Sequence, residues 1–178
     1  MLLQRLPLEF TVFSPSIDET SLPDETPTNL VSRLAKEKAR AVSGQFPEAL
    51  VIGSDQVALF EGRIIGKPGN VRTAIEQLQQ FSGHSVQFLT AVAVNCNASG
   101  FFSNSTIGTE VGFRVLGDAE IKRYVATDNP LDCAGGFKSE AAGSTLLTHM
   151  KSDDPAAIIG LPLIRLSAML REAGIRIP

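Results

Sequence analysis

The stretch VIGSDQVALFEGRIIGKP, Val51 to Pro68, decides how the rest of this chain is interpreted. Residues 49–53 have the apolar pattern of a buried strand. Residues 57–65 have the alternating pattern of a hairpin with a Glu-Gly turn. We therefore expect Asp55 to lie where the first strand ends, with Lys67 just beyond the hairpin. An acid, its neighbouring amide and a lysine around one hairpin suggest a functional site.

Length and composition restrict the class of protein. The 178 residues are 43% hydrophobic and 20% charged, which fits one globular domain with a sizeable core. The net charge of -3 argues against a nucleic-acid or anionic membrane surface. We expect neither a membrane span nor a secretory signal. Two cysteines, Cys96 and Cys133, are too few for a disulfide framework, so we expect a cytoplasmic protein.

The elements around the quoted stretch predict the fold class. Thr26 is expected to cap a helix that ends at Gly44, and Asn70 a second helix that ends before Gly83. Further expected elements are strands at 86–94 and 107–115, a short helix capped by Asp118, and a closing helix at 161–173. Because strands and helices mix and a tight turn joins two strands, we expect an α/β fold. Its sheet should be mixed, partly antiparallel and flanked by helices.

Two lysines have both a structural and a functional interpretation. The first predicted helix places Lys38 on its apolar face, either as a snorkelling residue or as a functional cation. Lys67 is either an ordinary turn residue or a cation that a rigid turn directs at a polyphosphate. The turn is not a P-loop, because Glu61 and Pro68 stand where that motif needs a glycine and a hydroxyl residue.

Carboxylates give a stronger indication than the lysines. Glu19 follows an apolar residue and an aspartate, Asp55 is expected at a strand end, and Asp132 and Glu140 bracket a double-glycine segment. Carboxylates in loops and at strand ends suit a hard divalent cation such as Mg²⁺. The lysines that could neutralise phosphates beside it are Lys38, Lys67 and Lys138. Surface acids that share no site are the alternative.

Two other chemistries are disfavoured. His84 and His149 lack the spacing of a zinc site, and neither cysteine forms a Cys-x-x-Cys pair. No Gly-x-Ser-x-Gly nucleophile motif occurs. We therefore rank zinc and serine-hydrolase sites well behind a phosphate site.

Seven short motifs follow one another along the chain. They are Ser16-Ile17-Asp18-Glu19, Leu34-Ala35 with Lys38-Ala39, Gly53-Ser54-Asp55-Gln56-Val57, Gly66-Lys67-Pro68, Phe81-Ser82-Gly83, Cys133-Ala134-Gly135-Gly136-Phe137-Lys138-Ser139-Glu140 and Ile159-Gly160-Leu161-Pro162-Leu163. From about Phe10 to the end, their order and spacing resemble the Maf family of nucleotide pyrophosphatases, which implies a Maf/ITPase-like fold. Ser-Asp-Gln around Asp55 and Phe-Lys-Ser-Glu ending at Glu140 are most similar to the branch that hydrolyses 7-methyl-GTP.

The resemblance implies a reaction and a set of site residues. The reaction is hydrolysis of 7-methyl-GTP to 7-methyl-GMP and pyrophosphate, with Mg²⁺ or Mn²⁺ as cofactor. The implied roles are general base and metal ligand for Asp55, metal ligand for Glu19, phosphate binding for Lys38 and Lys67, and substrate specificity for Gln56 and Glu140. Guanine presents two N–H donors on one edge, which one carboxylate can accept, and N7-methylation adds positive charge to the ring.

The chain departs from the family pattern at its start. Family members normally begin with a strand and a Ser-x-Ser-Pro-Arg-Arg loop that holds phosphate. Residues 1–6 resemble the helix just after that loop. We therefore expect one Maf-like domain over residues 1–178 that is short at its N-terminal end. The alternative function is a catalytically weak nucleotide-binding regulator of septum formation and cell division. The expected partner is a nucleoside triphosphate, not a nucleic acid or a membrane, and we allow for a homodimer.

Overall fold

The computed structural model describes residues 2–178. Its strands are β1 at Val51–Phe60, β2 at Arg63–Ile65, β3 at Ser85–Cys96, β4 at Phe101–Phe113 and β5 at Leu147–Ser152. Its α-helices are α1 at Pro27–Ser43, α2 at Val71–Phe81, α3 at Asp118–Asp128 and α4 at Leu163–Glu172. Within this range the strands form one sheet in the order β2-β1-β3-β4-β5. The predicted α/β fold is confirmed.

All four strand pairs in residues 2–178 are antiparallel, so the described part of the sheet contains no parallel pair. The connections explain part of this arrangement. Residues 61–62 join β1 to β2, and residues 97–100 join β3 to β4. Such short turns reverse the chain, whereas a parallel pair needs a crossover of a dozen or more residues.

β1 is one continuous strand, and Asp55 lies in its middle rather than at an end. The expected break at Gly53-Ser54-Asp55-Gln56 is therefore wrong. Asp55 pairs in register with Ala91 of β3. A β-carbon at Gly53 would lie 2.2 Å from the carbonyl oxygen of Ala35 in α1. The glycine therefore allows the helix to pack closely on the strand, and it does not end the strand.

The two edges of β1 are paired with neighbouring strands over different lengths. One edge pairs with β3 from Val51 to Leu59, but the other pairs with β2 only from Ala58 to Phe60. No strand within residues 2–178 pairs with the second edge at residues 51–57. The register that pairs Ile65 with Ala58 directs the following Lys67 towards this open edge.

The two faces of β1 belong to different parts of the core, because successive side chains point to opposite faces. Val57 belongs to a buried cluster that includes Leu34 of α1. Ala58 belongs to a second cluster, which includes residues of α2 and α3. Asp55 therefore faces α1, and Gln56 faces the other side of the sheet.

Most of the predicted helix ends are confirmed. The side chain of Thr26 accepts a hydrogen bond from the Asn29 N–H at 3.3 Å, and that of Asn70 from the Thr73 N–H at 2.9 Å. Asp118 is different, because it is the first residue of α3 and the N-cap is Gly117. None of the helices in residues 2–178 is long and apolar enough to cross a membrane.

Candidate functional site: an acid–lysine–acid cluster beside an open strand edge

Lys38 lies between two of the predicted acids. Its Nζ donates to Asp55 Oδ1 at 2.6 Å and lies 2.7 Å from Glu19 Oε1. α1 carries the lysine on the face that packs against the sheet, and β1 presents Asp55 to the same face. The Asp55 side chain is 10% exposed and that of Lys38 is 23% exposed, so the pair is largely shielded from water. The lysine is thus an ion-paired residue and not simply a snorkelling one. We call these three residues the acid–lysine–acid cluster.

The surroundings shift the pKa values of all three side chains in the cluster. Burial raises the pKa of Asp55, and the hydrogen bond and charge of Lys38 offset this only in part. Burial lowers the pKa of Lys38, but its bonds to Asp55 and Glu19 outweigh burial and leave that pKa raised. The bond from Lys38 lowers the pKa of the more exposed Glu19. The cluster thus holds a fixed cation against a buried carboxylate whose basicity is increased.

The loop that carries Glu19 is fastened to α1 by Arg33. The guanidinium donates to the carbonyl oxygen of Thr20 at 3.0 Å and forms an ion pair with Glu25 at 2.7 Å. The hydrogen bond from Arg33 lowers the pKa of Glu25 to about 2. Because Thr20 adjoins Glu19, this contact fixes the chain immediately next to the cluster.

Lys67 lies at the open edge of β1. It is exposed, and its charge adds to the lowering of the Glu19 pKa and offsets a small part of the rise that burial causes in the Asp55 pKa. None of the ion pairs within residues 2–178 uses its amine. The Gly66 carbonyl before it accepts the Gly135 N–H at 3.2 Å. The lysine is therefore held near the cluster on a fixed turn while its amine can still bind a phosphate.

The double-glycine segment brings Glu140 to the same region. A β-carbon at Gly135 would lie 2.9 Å from the Phe81 ring, so the segment packs closely on α2. Glu140 is exposed, and its charge adds to the burial that raises the pKa of the Cys133 thiol, whereas the charge of Lys67 opposes that rise. Both charges thus act on the same thiol. Within residues 2–178 neither ion pair of the acid–lysine–acid cluster involves Glu140.

Lys138 is bonded to the end of α3. Its Nζ donates to the carbonyl oxygens of Asp128 at 2.8 Å and Asn129 at 3.2 Å, at the C-terminal end of that helix. Its backbone N–H donates to the Tyr124 hydroxyl at 2.9 Å. The lysine anchors the segment that leads to Glu140, and its part in neutralising phosphate stays a prediction.

Gln56 lies on the face of β1 opposite to Asp55. Its Nε2 donates to Thr90 Oγ1 at 2.7 Å and to the carbonyl oxygens of Ala157 at 2.9 Å and Ile158 at 3.2 Å. The amide nitrogen is thus occupied by the protein, which leaves the amide oxygen for other partners. Its part in substrate choice stays a prediction.

Sequence reasoning missed Asp154, a buried acid that is 2% exposed. Its Oδ2 accepts the N–H groups of Ile164 at 2.7 Å and Arg165 at 3.1 Å, at the start of α4. The residue lies in Asp153-Asp154-Pro155, shortly before the last of the seven motifs. An acid ahead of a helix that begins after a proline was the available signal, because such a helix has no side-chain cap of its own.

The cluster has the donors for a metal ion that is shared with substrate. Within residues 2–178 no three or more His, Cys, Asp and Glu side chains are grouped to hold a metal by themselves. The two carboxylates of Glu19 and Asp55 lie on either side of one amine. Mg²⁺ commonly binds one or two carboxylates and takes its other ligands from phosphates and water, so this donor set fits it.

Comparison with known proteins agrees with the motif order. The family described as "Maf-like protein" matches residues 1–173. The chain is 53% identical over 178 residues to the "7-methyl-GTP pyrophosphatase" of Aromatoleum aromaticum, covering 100% of this chain and 92% of that protein. It is 49% identical over 176 residues to the protein of the same name from Albidiferax ferrireducens, covering 99% and 88%. The chain is also 52% identical over 174 residues to the protein of that name from Polaromonas sp., and the match covers 98% of this chain and 80% of that protein. The chain therefore belongs to the Maf family.

Proposed function

We propose that this chain is a nucleotide pyrophosphatase that hydrolyses 7-methyl-GTP to 7-methyl-GMP and pyrophosphate. The acid–lysine–acid cluster is the observation that carries the reaction, because it holds a shielded base beside a cation that can face phosphate. The names of the relatives support the substrate. The proposal includes a cytoplasmic location, in agreement with two free cysteines, Cys96 and Cys133.

Asp55 acts on the attacking water. Its carboxylate accepts a proton while the water oxygen forms a bond to the α-phosphorus. The bond from that phosphorus to the oxygen bridging to the β-phosphate breaks, and pyrophosphate leaves. The raised pKa makes this carboxylate a stronger base than an exposed aspartate, and the bond from Lys38 holds it in one orientation.

The two lysines offset negative charge on the phosphates. Lys38 is fixed by two carboxylates, whereas Lys67 extends from a turn at the open edge with an amine that can bind the substrate. Fixed cations aimed at developing charge stabilise a transition state because they need no reorganisation during the reaction. Glu19 and Asp55 would hold Mg²⁺ or Mn²⁺ together with phosphate oxygens, and the bound ion would supply further charge neutralisation.

Glu140 selects the base in this proposal. Guanine offers two N–H donors that this exposed carboxylate can accept, whereas thymine and uracil offer one, so 7-methyl-GTP gains a charge-assisted hydrogen bond that dTTP and UTP lack. The anchoring of Lys138 to α3 supports the assignment, because the amine of this lysine, two residues before Glu140, is bonded to backbone carbonyls rather than to that carboxylate. Gln56 assists through its amide oxygen.

A nucleotide panel tests the function directly. The purified chain is assayed for pyrophosphate release from 7-methyl-GTP, GTP, dTTP and UTP, with Mg²⁺ and with Mn²⁺. We expect the highest kcat/KM for 7-methyl-GTP. A protein that binds nucleotides but releases no pyrophosphate from any of them would contradict the proposal and favour the regulator.

A further inference from the structure

Asp154 is a buried carboxylate that the reaction does not use directly. The N-cap residue of α4 is Pro162, which makes no side-chain capping bond. Asp154 takes over that task by accepting the N–H groups of Ile164 and Arg165, and its Oδ1 also accepts the Ala156 N–H at 3.2 Å. A carboxylate at a helix N-terminus is stabilised by the unsatisfied N–H groups and by the helix dipole. It therefore fixes both ends of residues 154–162, which we call the strap.

The strap is bonded to both sequence neighbours of Asp55. Ser54 Oγ lies 2.7 Å from the carbonyl oxygens of Ala91 and Gly160, so its single proton is shared between β3 and the strap. On the other side of Asp55, Gln56 donates to the carbonyl oxygens of Ala157 and Ile158. Three strap carbonyls thus bind the two residues between which Asp55 is placed.

A second line of bonds reaches the strap from β3. Thr90 is fully buried, and its hydroxyl donates to the Ala157 carbonyl at 2.9 Å while accepting the Gln56 amide. On its outer edge β1 has no strand partner at residues 51–57 within the part of the chain described here. The strap therefore binds β1 and β3 together on the face of the sheet opposite to Asp55, next to a part of β1 that has a strand neighbour on one edge only.

We propose that Asp154 is a positioning residue for the hydrolytic reaction. It touches neither Asp55 nor a site for substrate, but it fixes the strap, and the strap fixes β1 so that Asp55 stays at bonding distance from Lys38. The kinetic part of this inference rests on the proposed function, whereas the structural part can be measured independently of it.

The principal variant is Asp154→Asn, which keeps the volume but places an amide group against backbone N–H donors. We expect kcat for 7-methyl-GTP to fall by about tenfold to a hundredfold, as a displacement near 1 Å does to a reacting group. KM should change less than kcat, because within residues 2–178 Lys38, Lys67 and Glu140 make no hydrogen bond to the strap and, of the side chains assigned to substrate, only that of Gln56 does. Amide hydrogen exchange at residues 54–57 should become about tenfold faster relative to β4, since local opening of the weakened strand becomes easier.

Two further variants release the strap without touching the helix cap. Thr90→Val removes the buried hydroxyl, and Ser54→Ala removes the bond to Gly160. Both variants should show the same fall in kcat and the same faster amide exchange at residues 54–57. They can be measured even if Asp154→Asn fails to fold. Asn95→Ala is the matched control, because it deletes a buried hydrogen-bonded side chain near the C-terminal end of β3, where Asn95 donates to Ser43 and not to the strap. It should lower the melting temperature and leave kcat unchanged.

The outcomes separate this inference from the proposed function. If wild type is active, a fall in kcat that exceeds the change in KM in the strap variants, and that is absent from Asn95→Ala, supports the positioning role. Equal effects in the control and strap variants, or an unchanged kcat in a folded Thr90→Val, would overturn it. If wild type releases no pyrophosphate from any nucleotide, the proposed function fails. Amide hydrogen exchange at residues 54–57 then tests the positioning role without an activity assay. Faster local exchange in the folded strap variants supports that role, and unchanged exchange refutes it.

Discussion

Gly53→Ala should separate α1 from β1 and thereby weaken the acid–lysine–acid cluster. The glycine sits two residues before Asp55, at the point where the two elements come closest. An added β-carbon would lie 2.2 Å from the Ala35 carbonyl oxygen and 2.7 Å from the Ala39 nitrogen. Both atoms belong to the backbone of α1, which no change of rotamer can move aside.

The size of the effect follows from these distances. To restore an ordinary van der Waals distance, helix and strand must separate by about 1 Å. Overpacking of this kind costs about 1–3 kcal/mol of unfolding free energy, and for a chain of this length 1 kcal/mol lowers Tm by about 2–4 °C. Because α1 carries Lys38 and β1 carries Asp55, a shift of 1 Å should also lower kcat/KM by about a hundredfold.

Gly44→Ala is a control at the C-terminal end of α1, the helix that contacts Gly53. Gly44 has φ -64, and no atom lies within 4 Å of its added β-carbon. The assays are thermal unfolding and pyrophosphate release from 7-methyl-GTP for wild type and both variants. Wild-type Tm and turnover in Gly53→Ala, or equal losses in both variants, would refute the argument that close contact at Gly53 sets the geometry of the cluster.

Three further predictions concern single carboxylates. Asp55→Asn should reduce kcat by about 10²–10⁴-fold with the fold intact, as for loss of a general base; near-normal turnover in the folded variant would contradict the assignment. Glu140→Gln should narrow the ratio of kcat/KM between 7-methyl-GTP and the pyrimidine nucleotides, and an unchanged ratio would exclude Glu140 as the base-selecting residue. Glu25, whose pKa falls from 4.5 to about 2 on bonding Arg33, stabilises the fold above pH 4.5, and that stabilisation is lost as the pH falls from 4.5 towards 2. Denaturation midpoints of Glu25→Gln should therefore fall less steeply than those of wild type over this range, and parallel curves would show that the bond does not stabilise the fold.

The sequence predicted those parts of the structure that depend on local pattern. The caps at Thr26 and Asn70 are confirmed because capping needs only residues within three positions of each other. Lys38 was placed on the apolar face of a helix by periodicity alone, and that face proved to pack against the sheet. The motif order, rather than periodicity, indicated that Lys38 and Asp55 belong to one site.

The sequence predictions differed from the structure where tertiary contacts determine the conformation. A glycine inside a strand pattern suggests a break, but Gly53 is there because the backbone of α1 approaches it from above the sheet. The error at Gly53 also hid the alternation that sends Asp55 and Gln56 to opposite faces. The attachment of Lys138 to α3 and the capping of α4 by Asp154 join residues ten positions apart, beyond the three-residue spacing of an ordinary helix cap.

The open edge of β1 has a consequence for the protein in concentrated solution. At residues 51–57 the backbone groups on this side, which come from alternate residues, pair with no strand in the described part of the chain, and such an edge is a template for intermolecular β-pairing. Asp55 sits in the middle of this segment with its carboxylate largely buried beneath the strand, and inward-pointing charges are one way in which natural sheets discourage an intruding strand. Lys67, exposed beside the same edge, adds a charge that an incoming chain would have to displace. The groups assigned to hydrolysis thus also guard the strand against self-association.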